Sequence, residues 1–224
     1  MTWPVGIVLT SWDYMWRSTP MRRRETDVSE DDPTCAAPEL VHDIDLTELQ
    51  GAKDGYGPLF HRRYRTSVRG AELDARELME RLQANLNRAA PTTFARFQKV
   101  LGDPDEMHVG DEYVVRMPGP WDGPVRVVSA EPRSFRFATL RGHLEAGQIE
   151  FRATDGDAAG ELTVEVESWA RSSGRLAHVL YHRLKMSKEV QAHMWISFLE
   201  GAAHLAGGDM VGGVSIDTQR AGAG

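Results

Sequence analysis

The sequence predicts an α+β fold: a curved antiparallel β-sheet wrapped around a long C-terminal α-helix, with two short helices after the first strand. Three observations carry that prediction. Residues 174–205 contain no proline, and glycine only at Gly174 and Gly201. Five stretches between residues 110 and 171 favour strand, and turn signals divide them. An alternating stretch near residue 60 precedes a run of leucines at helical spacing.

The elements follow in chain order. Residues 1–55 read as an N-terminal arm and linker that dock on the main body. Trp3, Trp12 and Trp16 are too costly to leave in water, and Thr10 or Ser11 can cap a short helix bearing Trp12, Met15 and Trp16. Arg22, Arg23 and Arg24 precede an acidic run from Glu25 to Asp32, which reads as solvated linker. The first strand carries Phe60, Tyr64, Thr66 and Val68 on one side and Arg63, Arg65 and Ser67 on the other. Leu78, Leu82 and Leu86 recur every fourth residue and mark the first short helix. A second is expected from Pro91 through Phe94, Phe97, Val100 and Leu101, stopped at Gly102–Asp103–Pro104.

The five stretches that follow are GDEYVVRM, GPVRVVSAE, SFRFATL, AGQIEFRA and GELTVEVESWAR. Alternation is clean in the last three: Phe135, Phe137 and Thr139, then Ile149 and Phe151, then Leu162, Val164 and Val166 share an apolar side. One buried and one wet face is the pattern of an antiparallel sheet. In the long helix, Leu176, Leu180, Leu184, Met194, Phe198, Ala202 and Leu205 fall on one side at roughly 100° per residue, flanked by Val190 and Trp195. A helix of that length spans about 45 Å at ~1.5 Å per residue, so its apolar stripe needs a large cover, which the sheet supplies by curling around it. The main body is thus 56–207, and 208–224 is expected to be a flexible tail.

Composition narrows the function classes. A net charge of −7 over 224 residues gives no nucleic-acid footprint. No stretch suits a signal peptide or a stable membrane insertion, and the single cysteine, Cys35, fits a reducing, cytoplasmic setting. Walker, dinucleotide-binding and nucleophile-elbow motifs are absent. No cofactor is expected, and a homo-oligomer is compatible with the sequence.

Three groups of residues can carry chemistry. His143 and Glu145 stand two apart in GHLEAG, a spacing that in a strand places imidazole and carboxylate on one face for acid–base work. The flanking glycines equally suit a tight hairpin, in which the pair stabilises the turn. Arg183, Ser187 and Gln191 stand four apart within the apolar stripe; in a dry core their polar groups go unpaired at about 1–3 kcal/mol each, whereas a solvated or ligand-filled cavity tolerates them. They can also meet polar sheet residues or sit at an open end. His178, His182, His193 and His204 fall nearly opposite the stripe, on an outer face that meets solvent, the N-terminal arm or a second subunit; Ile196 on that face calls for some cover, and no metal site is expected from the histidines.

In its element order, the span 56–207 resembles the helix-grip superfamily, which groups START-type lipid-transfer domains, polyketide cyclases and birch-pollen-allergen-like proteins (SRPBCC). The stretches GDEYVVRMPGPWDGPVRVV, ATLRGHLEAGQIEFRA and ESWARS more narrowly resemble an uncharacterised actinobacterial family that carries only a domain-of-unknown-function label. The superfamily resemblance implies a cavity between sheet and long helix that holds a small apolar or amphipathic ligand. Alternation and the helical wheel then place Phe135, Phe137, Thr139, Ile149 and Phe151 from the strands, and Arg183, Ser187 and Gln191 from the helix, along its wall. Trp121, in a Pro/Gly-rich turn, can act as a lid at its mouth or pack on the sheet edge. The leading expectation is a cytoplasmic binding protein. An enzyme of the cyclase, dehydratase or hydrolase type, acting on polyketide-like or aromatic substrates, is the alternative. A third reading is an interaction protein whose cavity is filled by its own side chains.

Overall fold

The structure, a computed structural model, describes residues 19–29, 32–40, 45–91, 95–117, 122–174 and 186–222. The expected tryptophan arm (Trp3, Trp12, Trp16), the turn residue Trp121, and Leu176, His178, Leu180, His182, Arg183 and Leu184 lie outside those residues. So does the side chain of Ser187.

Among the described residues one nine-stranded sheet forms the body. Its strands are β1 (Met21–Val28), β2 (Tyr56–Arg69), β3 (Arg96–Leu101), β4 (Glu112–Arg116), β5 (Asp122–Glu131), β6 (Ser134–Thr139), β7 (Glu145–Asp155), β8 (Leu162–Ser172) and β9 (Asp209–Ala221), in the spatial order β1-β9-β2-β8-β7-β6-β5-β4-β3. From β2 across to β3 the order is the antiparallel meander that the alternation requires. Among the described residues two helices pack on its concave face, α1 (Ala75–Ala84) and α2 (Met186–Leu205). This is the helix-grip architecture.

α1 begins where chemistry caps it. The Asp74 side chain accepts from the Glu77 N–H, and the Glu77 carboxylate accepts from the Asp74 N–H, satisfying two N-terminal donors. Leu78, Met79 and Leu82 are fully buried against the sheet. In α2, residues 192–199 are buried on every side, with Phe198, Leu199 and Ala202 at 0–1% exposure. Gly201 lets the helix come down on the turn after α1: a Cβ there would stand 2.3 Å from the Ala89 carbonyl oxygen.

The structure corrects three expectations. The second short helix is a strand. Arg96 to Leu101 pair antiparallel with β4, Phe97 alone of them is buried, Val100 and Leu101 are 52% and 57% exposed, and Asn87 pins the Phe97 backbone with two hydrogen bonds (2.8 and 2.9 Å). Residues 209–221 are not a flexible tail but β9, which lies between β1 and β2 with Val214 and Ile216 in the core. Its alternation is hidden in the sequence by Gly212 and Gly213, whose positive φ values (76° and 77°) mark an irregularity in its pairing with β2. The arginine-rich stretch is likewise a strand, β1, the one parallel neighbour in the sheet, with seven of its eight residues exposed. On the face opposite the stripe, His193 and Ile196 are buried at 5% and 4% exposure, the cover that Ile196 calls for, while His204 is exposed.

Of the stretch expected to be loop, residues 33–40 and 45–55 are described, and both parts pack on the convex face. Leu40 and Leu49 pack on Val128 and Ala138, the Pro38 and Glu39 carbonyls accept from Gln148 (3.3 Å) and Arg136 (3.3 Å), and Cys35 is buried beside Leu59 and Ala221. Gln50 then hooks the β6–β7 turn by donating to the carbonyls of His143 (3.0 Å) and Glu145 (2.9 Å).

Candidate ligand site

The register of the sheet fixes which side chains share the concave face. Tyr64 pairs with Val166, and Val166 with Phe151. The same phase carries Arg62 opposite Ser168, Ser168 opposite Ile149, and Glu145 opposite Ser172. Because side chains alternate across a strand, these residues form a row facing α2.

That face has two halves. In one, Phe135, Phe137 and Phe151 are 0–1% exposed. The Phe135 and Phe151 rings stack at 4.9 Å, Phe137 meets both edge-on at 5.6 and 6.2 Å, and Phe151 meets Phe198 at 4.9 Å and Trp195 at 5.6 Å. Centroid spacings of 4.5–7 Å are those of rings in contact, so this half is filled by the protein itself. Thr139 acts as a joint within the sheet: its hydroxyl donates to the Gln50 carbonyl (2.7 Å) and accepts from the Gly147 N–H (2.9 Å).

The other half is polar. Arg62, 4% exposed, donates from Nη1 to Gln191 Oε1 at 3.1 Å, and its guanidinium lies 4.5 Å from the centre of the Phe60 ring. Gln191 Nε2 donates to both Glu145 oxygens, at 3.0 and 3.2 Å. One neutral amide therefore spans a cation and an anion. Ile149, half-buried, sits beside them on β7. Trp195 follows Gln191 by one helical turn; its indole N–H is buried and has no acceptor among the described residues.

The structure thus brings together Gln191, Glu145 and Ile149 from the expected set, and places the three phenylalanines in the neighbouring core. It does not join His143 to the Glu145 carboxylate. The His143 Nδ1 accepts from the backbone N–H of Glu145 (2.9 Å), which makes the ring a brace of the turn. The close fit around it is visible at Gly123, where a Cβ would lie 2.9 Å from the imidazole Nε2. Burial lowers the His143 pKa against the opposing pull of Glu145, so the ring stays neutral at neutral pH. Arg62 was missed by sequence reasoning although the signal was present: it stands in phase with Phe60 and Tyr64, an arginine in an apolar register.

The convex face carries a separate charged network. Glu167, 4% exposed, accepts from His61 (2.7 Å), Arg63 (2.5 Å) and Arg152 (3.0 Å), and His61 stacks on Trp169 at 5.3 Å. Among the described residues no group of three or more His, Cys, Asp or Glu is placed to hold a metal ion, and no helix is long and apolar enough to cross a membrane.

With this geometry in hand, comparison with known proteins identifies the family. The model described as domain of unknown function (DUF1990) matches residues 48–199. The chain belongs to this family. The DUF1990 match spans α1, the whole meander and α2 as far as Leu199, and so includes Arg62, Glu145 and Gln191. No curated protein sequence matches the chain. Among solved structures, norcoclaurine synthase from Thalictrum flavum in complex with dopamine and hydroxybenzaldehyde is similar at 8% identity and a TM-score of 0.47, covering 76% of this chain and 96% of that one. Major latex-like protein 151 from Panax ginseng is similar at 13% identity and a TM-score of 0.47 (67% and 99% covered). The hypothetical protein jhp0584 from Helicobacter pylori is similar at 9% identity and a TM-score of 0.47 (64% and 86% covered). Likeness at this level carries no argument about the chemistry of this DUF1990 protein.

Proposed function

We propose that the protein binds a small amphipathic molecule on the concave face of the sheet, with the polar end at Arg62, Gln191 and Glu145 and the apolar end against Ile149 and Trp195. One observation carries the reading: on the polar half of this face Gln191 bridges buried Arg62 to half-buried Glu145, whose carboxylate hydrogen-bonds, among the described residues, only to that neutral amide. Taking a carboxylate partly out of water costs free energy that a close partner offsets. A site for a partly polar ligand favours what is present, since ligand pockets combine apolar walls with a few placed polar groups. The unsatisfied Trp195 N–H supports the same reading, because a buried donor without an acceptor is a cost that a ligand's acceptor removes.

The experiment is a ligand screen by NMR on the full chain, preceded by native mass spectrometry of freshly purified protein to look for a bound small molecule. The side-chain amide of Gln191 and the indole N–H of Trp195 are the reporters. Both should shift on binding. If both resonances hold still across a broad set of amphipathic compounds, the reading is wrong.

A further inference from the structure

Arg62 and Glu145 do not play equal parts. Arg62 is enclosed, at 4% exposure, with its charge against the Phe60 ring and the Gln191 carbonyl oxygen. Its effect on the site is orientation. Because it donates to Oε1, the amide of Gln191 can turn only its Nε2 toward Glu145.

Glu145 is the half-buried member, and among the described residues its carboxylate hydrogen-bonds only to that amide. An ionised carboxylate has about four acceptor sites. The Gln191 amide occupies part of this capacity and supplies no positive charge. Nor does the neighbouring imidazole: His143 is held neutral by burial, and its Nδ1 is taken by the backbone. Arg62 makes no ion pair with Glu145, although the two are only one amide apart. Among the described residues, the group presented to a ligand on this face is therefore an anion without a paired cation.

We propose that the ligand is a protonated amine, its ammonium seated on the Glu145 carboxylate and its apolar part along Ile149 and Trp195. The proposal rests on the ligand-binding reading above and narrows it. A charge-assisted hydrogen bond in a half-buried site is about twice as strong as a neutral one, which gives an amine a clear advantage over an alcohol of equal length. A carboxylic acid meets the wrong sign at Glu145 and finds Arg62 enclosed.

Three straight-chain probes of equal length separate the outcomes: octylamine, octanol and octanoate, titrated calorimetrically into the full chain at neutral pH. Octylamine should bind at least tenfold more tightly than either of the others. Glu145→Gln should remove that preference, with a melting temperature and far-UV circular dichroism spectrum like the parent's showing that the variant still folds. Arg62→Gln should reduce the preference severalfold, because the Gln191 amide is then free to reverse. If octanoate binds most tightly, or if the amine preference survives Glu145→Gln, the amine assignment is overturned while the ligand-binding reading stands. If none of the three binds and the NMR screen is also silent, the ligand-binding reading falls, and the amine assignment with it.

Discussion

Glu167 sits in the convex face at 4% exposure, where burial by itself would push its carboxyl pKa up. The hydrogen bonds from His61 and Arg63, with their charges, overcome that and bring it from 4.5 down to about 2. A carboxyl lowered on folding stabilises the native state above its unfolded pKa and loses that contribution as pH falls through the folded one. The window here is therefore pH 4.5 to about 2. The shift corresponds to about 3 kcal/mol at ~1.4 kcal/mol per unit. Urea unfolding of the parent protein should show stability dropping across that window, and Glu167→Gln should flatten the drop. At pH 7 the same variant should be destabilised by about 3 kcal/mol, since His61, Arg63 and Arg152 keep their charge or polarity and lose their acceptor. Parallel pH profiles for the two proteins would show that Glu167 does not control acid stability.

At the level of elements, contact between α2 and the turn after α1 depends on one absent methyl group. Gly201→Ala would place a Cβ 2.3 Å from the Ala89 carbonyl oxygen, well inside any real contact, so the helix must lift. Overpacking of this kind costs about 1–3 kcal/mol. The melting temperature should fall by several degrees, and an unchanged value would mean that the turn yields freely. The elements that were legible from sequence are β2, α1, the meander strands β4 to β8, of which β6, β7 and β8 alternate most cleanly, and the apolar residues Met194, Phe198 and Ala202 of α2. The others were obscured for separate physical reasons. β1 buries none of its residues fully, so no hydrophobic pattern announces it. β9 is broken by Gly212 and Gly213 at an irregularity in the pairing. Around Phe97 the apolar spacing fits a helix and a strand equally, and Asn87 decides between them from outside the segment. The site was half legible: Gln191 stood out as polar in an apolar stripe, and Glu145 through its spacing to His143. The bond that joins them crosses from β7 to α2, and local sequence carries no record of it.

Across the whole molecule, the sheet is held together by its latest segment. β9 is hydrogen-bonded along its length to β2 on one side and to β1 on the other. Removal of residues 209–224 would leave β2 with an open edge and strip Val214 and Ile216 from the core. The truncated protein should fail to fold or should aggregate, because an exposed long edge pairs with other chains. Hydrogen exchange offers a gentler check: the β9 amides should be protected to the same degree as those of β2. Rapid exchange throughout β9 would mean that it is only an accessory strand.

The parallel pairing of β1 with β9 also sets an order of events. Among the described strands β1 is made first and β9 last, and the two are sheet neighbours. Their pairing must therefore wait until β9 has been made, after the meander. The composition of β1 suits that wait. With three arginines and two acids in MRRRETDV, the nascent strand is too polar and too charged to stick to its neighbours before its partner arrives.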